Sequence, residues 1–196
     1  MKGLEKPTFW IVAGPNGSGK SSLYGNTDIE AFDQSIWIIN PDLLTQRIQQ
    51  VEKLSLHEAN MQAVTRIEAW LEASISAHQT VGVETVLSTD KYRRLVEAAK
   101  AREFTFQSAD LNIQRVRLRV GKGGHDVPEE SIRKRWTRSL AQLPWFLDQA
   151  DQAALFDNTG AVPQLVGRKE TGEVVIDPDA PAALKEALGL SREASP

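Results

Sequence analysis

Thr8-Phe9-Trp10-Ile11-Val12-Ala13-Gly14-Pro15-Asn16-Gly17-Ser18-Gly19-Lys20-Ser21 is an apolar run that breaks into a glycine-rich turn and ends in Lys-Ser. A nearly continuous apolar run bounded by Gly-Pro suits a strand covered on both faces, as in a parallel sheet. The turn matches G-x-x-x-x-G-K-[ST] in full. Glycines let successive backbone N–H groups point inward at phosphate oxygens. A helix beginning near Lys20 adds unpaired N–H groups and its positive dipole end. Lys20 then reaches the β- and γ-phosphates, and the Ser21 hydroxyl ligates Mg²⁺. A free-floating match could arise by chance in a surface turn, but this one follows a strand pattern and precedes Ser22-Leu23, the context the motif requires.

Outward from this turn the pattern alternates. Ser35 to Ile39 and Thr80 to Val86 are further apolar, β-branched runs. Between them, Ser55-Leu56-His57-Glu58 reads as a capping box. Met61, Val64, Ile67, Leu71 and Ile75 follow at helical spacing and predict one buried face. Asp90 is a candidate N-cap for a helix carrying Leu95, Val96 and Ala99. Pro128-Glu129-Glu130 reads as another helix start, with Ile132, Trp136, Leu140, Leu143 and Leu147 inward. Val162 to Ile176 predicts a hairpin turning near Thr171-Gly172, stopped by Asp177-Pro178-Asp179 and followed by a short helix from Ala182. Strands alternating with helices predict an α/β fold: a parallel sheet flanked by helices on both faces, of P-loop NTPase or kinase type, with a small C-terminal hairpin and helix. No linker or repeat interrupts it. One domain is expected over 1–196, with a core at about 8–158 and an extension at 159–196.

Composition excludes several classes. The 196 residues contain no cysteine, so disulfides, thiolate metal sites and Cys nucleophiles fall away. A formal net charge of −3 draws the chain to neither nucleic acid nor an anionic membrane, so any anion site is local. The apolar stretch at Phe9–Ala13 is too short for a signal or a span, and the expected location is the cytoplasm.

Kinase chemistry needs a carboxylate near the strand ends and cations around the moving phosphoryl group. Asp42, in Asn40-Pro41-Asp42, follows the second strand, at the sheet edge where ligands gather. Two roles are open to it: general base, or dipole-stabilising acid in a helix's first turn. Glu84, inside the third apolar run, is costly there unless it is paired or faces a cleft; a solvent-facing edge position is the other reading. Arg115, Arg117, Arg119, Arg133, Lys134, Arg135 and Arg138 flank the polar loop Gly121 to Asp126. A subset could close over phosphates while the rest form a solvated surface. His57 and His78 have no second-histidine spacing for a metal.

Taken together, Ala13 to Ser21, Asn40 to Asp42, Glu84 to Ser88 (E-T-V-L-S), Arg115 to Glu130 (R-V-R-L-R-V-G-K-G-G-H-D-V-P-E-E) and Phe156 to Asn158 (F-D-N) resemble the zeta-toxin-like P-loop kinases. The resemblance spans about Thr8 to Asn158. It implies phosphorylation, from ATP or GTP with Mg²⁺, of a hydroxyl on a small molecule such as UDP-N-acetylglucosamine. It implies Asp42 as base, Lys20, Arg119 and Arg135 as catalytic cations, and Glu84, Thr85 and His125 on the acceptor side. The nucleotide falls to Gly14, Pro15, Asn16, Gly17, Ser18, Gly19, Lys20, Ser21, Ser22 and Asn158. An antitoxin protein is the implied partner.

One departure stands out. Between the helix ending near Arg102 and the segment from Ser108 only Glu103-Phe104-Thr105-Phe106-Gln107 remains, where a strand of ~5–6 residues plus connections is expected. A shortened central strand there would weaken the core. It opens an alternative: a nucleotide-binding regulatory or partner-binding module with little or no kinase activity.

Overall fold

The computed structural model describes residues 6–14, 18, 20, 37–112, 129–160 and 162–190. Seven strands form one sheet: β1 (Thr8–Ala13), β2 (Ile38–Ile39), β3 (Val81–Thr85), β4 (Thr105–Asn112), β5 (Gln152–Asp157), β6 (Gln164–Glu170) and β7 (Glu173–Ile176). Their order is β2-β3-β1-β4-β5-β6-β7. The first five are mutually parallel, and β5, β6 and β7 pair antiparallel. From β1 the chain runs to β2 and β3 on one side and then crosses past β1 to β4 on the other, so the strand order reverses at β1. Open parallel sheets bind ligands at such a switch point, beyond the strands' C-terminal ends.

The sheet is buried on both faces. Phe9, Ile11 and Ala13 of β1 join the main core with Val81, Val83 and Phe106, while Trp10 and Val12, pointing the other way, are buried too. This is the α/β arrangement expected. Helices α1 (Pro41–Glu52) and α2 (Leu56–Ser76) pack as a hairpin. Ser55 opens α2 with the full capping box to Glu58, as read from the sequence. The face of α2 needs correction, however. Ile67, Leu71 and Ile75 are buried, but Met61 is 59% and Val64 39% exposed, and Ala59 and Ala63 turn inward instead. These small side chains let Ile48 of α1 approach closely, so steric fit, and not apolarity alone, selects the face.

Helix α3 (Arg93–Lys100) is capped at Tyr92 with no side-chain cap bond, so Asp90 is not its N-cap; the Asp90 carbonyl instead accepts from Arg93 N at 2.8 Å. Leu95, Val96 and Ala99 are buried as expected. Helix α4 (Glu129–Gln149) buries Leu143 and Leu147 along with Phe146, while Trp136 and Leu140 are only half-buried. Arg93 fastens α3 to α4, donating to Gln142 Oε1 at 2.8 and 3.2 Å and lying over the Trp145 ring. Lys169 of β6 donates to the Leu147 and Asp148 carbonyls at 2.7 and 2.9 Å, closing the C-terminal end of α4. The C-terminal hairpin turns at Thr171-Gly172, both at positive φ (50° and 90°), the geometry of a type I′ turn. Helix α5 (Ala182–Ala187) follows it.

The shortened strand is also corrected. β4 has eight residues, continues through Ser108 to Asn112, and is paired along its length with β1 and β5. Its buried Phe106 packs at a tilt against Phe9 and edge-on against Phe146, with ring centroids 6.0 and 6.4 Å away. Ser108 looked like the start of a new segment, yet it is a buried position in the strand's middle.

Candidate functional site

β1 delivers the chain to the switch point at Gly14, whose φ of 145° disfavours any side chain. Its N–H donates to the Thr85 carbonyl at 3.1 Å, extending the β1–β3 ladder by one bond. Lys20 returns over this point and is buried, 5% exposed. Its Nζ donates to the Gly14 carbonyl at 2.7 Å and stands 3.7 Å from Glu84 Oε1.

Glu84 reaches Lys20 because of register. It lies opposite Val12 on the adjoining strand, and Val83 beside it points into the main core, so Glu84 projects from the other face. It is 7% exposed, which removes the solvent-facing edge reading. A buried carboxylate needs donors and a counter-charge. Glu84 has both: Lys20 near Oε1, and Asn40 Nδ2 donating to Oε2 at 3.0 Å.

Asn40 sits between β2 and α1. β2 pairs with β3 in parallel, Ile39 against Val83, which brings Asn40 alongside Glu84. As the N-cap of α1, its Oδ1 accepts from Asp42 N at 2.9 Å and Leu43 N at 3.2 Å, with Pro41 at the first helical position. Asp42 is therefore in the first turn, exposed, beyond the C-terminal edge of the parallel strands. Both roles read for it from the sequence are compatible with this place, since a first-turn acid can also face a ligand.

On the other side of β1, β5 ends at Asp157, which closes a turn by accepting from Thr159 N at 3.0 Å and Thr159 Oγ1 at 3.1 Å. Asn158 then turns inward, 2% exposed, and donates Nδ2 to the carbonyl of Ser18, 140 residues away. Ser18 is fully buried. Its Oγ and the Asn158 Oδ1 are buried with no hydrogen-bond partner. Two such polar atoms at one loop suit a site completed by a polar ligand.

Thr85 is half-buried. Its Oγ1 accepts from Leu87 N at 3.1 Å, and its side chain is hydrogen-bonded to Tyr92. Burial pushes the Tyr92 phenol up to about 12, with Glu68 adding to the rise and the Thr85 bond opposing it. The Thr85 side chain thus supports the end of β3. Arg135 stands exposed on α4, as do Arg133, Lys134 and Arg138, and Lys134 pairs with Glu130 one turn away. Pro15, Asn16, Gly17, Gly19, Ser21, Ser22, Arg115, Arg117, Arg119 and His125 lie outside the described residues.

The structure therefore assembles Gly14, Lys20 and Glu84, ties them through Asn40 to the turn bearing Asp42, and ties Ser18 to Asn158. The bridging role of Asn40 was not foreseen. The available signal was an Asn-Pro pair at a strand end, which marks an N-cap. Among the described residues no group of three His, Cys, Asp or Glu side chains could hold a metal, and no helix is long and apolar enough to cross a membrane. Mg²⁺ in nucleotide sites leans on phosphates and water with one or two protein oxygens, so the oxygen donors at hand, the Ser21 hydroxyl by sequence and the Glu84 carboxylate by position, are of a fitting kind.

No protein-family model and no curated protein matches the sequence. Solved structures do. The AvrRxo1-ORF1:-ORF2 complex with ATP superposes with a TM-score of 0.68 at 16% identity, over 97% of this chain and 65% of that one. The PezAT chromosomal toxin–antitoxin system of Streptococcus pneumoniae gives a TM-score of 0.64 at 17% identity, over 99% of this chain and 82% of that one. At such identities the likeness is one of fold: the chain shares the fold of these two structures. It spans 65% of the length of the AvrRxo1 chain.

Proposed function

We propose that the chain is an ATP- or GTP-dependent, Mg²⁺-requiring kinase acting on a hydroxyl of a small molecule, with a UDP-amino sugar such as UDP-N-acetylglucosamine as acceptor. The observation that carries this is Lys20: a buried ammonium at the sheet's switch point, held by the Gly14 carbonyl and faced by Glu84. An ammonium kept there has little structural purpose unless a polyanion arrives, because burying it costs several kcal/mol.

In this reading the nucleotide phosphates lie over the turn from Gly14 to Ser21, and Lys20 exchanges the Gly14 carbonyl for β- and γ-phosphate oxygens. Ser21 would hold Mg²⁺, which when bound would offset charge on the β- and γ-oxygens, and Glu84 and Thr85 belong to the acceptor side. The acceptor hydroxyl gives its proton to the Asp42 carboxylate. Its oxygen forms the new P–O bond as the bond from the γ-phosphorus to the β–γ bridging oxygen breaks, and ADP or GDP leaves with that electron pair. Arg119, Arg135 and His125 belong to the lid in this scheme, and Asn158 to the nucleotide side. PezAT being a toxin–antitoxin system, an antitoxin-type protein is the proposed macromolecular partner, and the cytoplasm the proposed location.

The regulatory-module reading rested on a trimmed strand, and the full-length β4 removes that ground. The test is ADP release from ATP and Mg²⁺ with and without UDP-N-acetylglucosamine, with Lys20→Ala as the blank. Release should rise with the sugar nucleotide and vanish in the blank. Asp42→Asn should lower turnover by about 10²–10⁴-fold, the range for losing a positioned base, with ATP affinity nearly unchanged. Normal turnover in that variant would remove Asp42 as the base.

A further inference from the structure

We propose that α4 is a lever hinged at the turn that Pro144 breaks: its C-terminal foot is fixed to the core, and its cationic N-terminal arm closes on the nucleotide phosphates. The inference rests on the kinase reading. The two parts differ in what holds them. In the foot, Leu143, Phe146 and Leu147 are buried. Lys169 donates to the Leu147 and Asp148 carbonyls, and Lys100 to the Gln149 carbonyl at 2.7 Å. Arg93 splints the same stretch, with Gln142 Oε1 accepting from its guanidinium and the Trp145 ring against it. In the arm, none of the described side chains from Glu130 to Arg138 is buried, and Arg133, Lys134, Arg135 and Arg138 are exposed.

Pro144 stands inside the helix. It has no N–H for the Leu140 carbonyl, and its ring crowds that carbonyl, so the helix is weakest at this turn. Pro144 belongs to the exposed stripe of Thr137, Ala141 and Asp148. The crowding opens that solvent side and bends the arm the other way, toward the sheet. Thr137 Oγ1 donates back to the Arg133 carbonyl at 3.1 Å, a bond that further favours bending. Arg93 holds Gln142 and Trp145 on either side of Pro144, so the pivot falls N-terminal to them, at the open Leu140 carbonyl.

Chain direction places the arm. Asp151, just past α4, donates its N–H to the Phe106 carbonyl at 2.9 Å and accepts from Phe106 N at 2.7 Å, near the start of β4. α4 follows β4 and returns to the start of the parallel strand β5, so it runs antiparallel to both. From Phe106 to Asn112, β4 rises about 20 Å, whereas the 21 residues of α4 span about 31 Å. The first turns of α4 thus stand beyond the strands' C-terminal edge, the edge where Gly14 and Lys20 lie. A polyphosphate there attracts the arm's cations, and the broken turn lets them approach while the buried foot stays in place.

The test is amide hydrogen exchange of the full chain with and without saturating ATP and Mg²⁺. In wild type, ATP should slow exchange over 130–138 by about tenfold or more and leave 145–149 unchanged within about twofold. Pro144→Ala supplies the missing N–H and removes the crowding. Its unfolding midpoint should match or exceed that of wild type, and its arm should exchange slowly even without ATP. The ATP effect should then shrink to within about twofold, and kcat should fall by about 5-fold or more. Arg93→Met keeps an apolar stem at Trp145 but releases Gln142, so the ATP effect should spread into 145–149. A wild-type arm whose exchange ignores bound ATP, or a Pro144→Ala arm that responds as wild type does, would overturn the lever. An arm that responds to ATP in a protein without acceptor-stimulated turnover would retire the kinase reading and leave the hinge in place. Wild-type protein that binds no ATP would retire both.

Discussion

Replacing Asn158 by Ala removes the donor to the Ser18 carbonyl, at a point where both residues are buried. Leaving a buried acceptor unsatisfied costs about 1–3 kcal/mol. Ser18 lies within the glycine-rich turn, so the part of that cost borne by the turn's conformation appears in phosphate binding. At 1.4 kcal/mol per tenfold, the full range would correspond to about 5- to 140-fold in affinity. Sharing with overall stability brings the expected loss to roughly 5- to 10-fold. The assay is calorimetric titration of wild type and Asn158→Ala with ATP and, separately, with inorganic triphosphate. A clamp on the turn weakens both ligands equally, because both use the phosphate cradle. A side chain that touched the nucleobase would weaken ATP and spare triphosphate. Selective loss of ATP would therefore refute the clamp, and unchanged affinity for both would show that the bond to Ser18 does not organise the turn.

Two further predictions concern the scaffold. Phe106→Ala, emptying a fully buried position between Phe9 and Phe146, should cost about 3–5 kcal/mol in urea unfolding; a loss below ~1 kcal/mol would argue against β4 as a packed central strand. Tyr92, with its phenol pushed up to about 12, prefers its neutral form when folded. Its contribution is therefore fully present below the unfolded value near pH 10 and is lost as pH rises towards 12. Over that window, wild type should lose up to about 2–3 kcal/mol more stability than Tyr92→Phe; parallel pH profiles would disprove the buried-phenol effect.

What was legible from the chain alone was local. The apolar run into Gly14, the capping box at Ser55–Glu58 and the hairpin turn at Thr171-Gly172 each depend on backbone constraints spanning a few residues, and each is found where its residues stand. β4 was half-legible. Phe104 and Phe106 announced it, but Gln107, Ser108, Asp110 and Asn112 carry no apolar signature, and only pairing with β1 and β5 shows that the strand continues. On α2 the apolar pattern pointed to Met61 and Val64, whereas the close approach of α1 favours Ala59 and Ala63, a choice made by a neighbour that periodicity does not contain.

The sequence by itself determined the fold class and marked the turn proposed to bind phosphate, since glycine placement, strand periodicity and the Lys-Ser pair are encoded within one continuous segment. Only the tertiary structure decided that Glu84 faces Lys20, that Asn40 links Glu84 to the Asp42 turn, and that Asn158 holds Ser18. The long-range contacts follow from strand order: β1 beside β3 brings Lys20 to Glu84, β2 beside β3 brings Asn40 to Glu84, and β5 in the same sheet carries Asn158 to Ser18. A carboxylate or an amide shows in sequence what it can bind. The strand order settles which partner comes within reach.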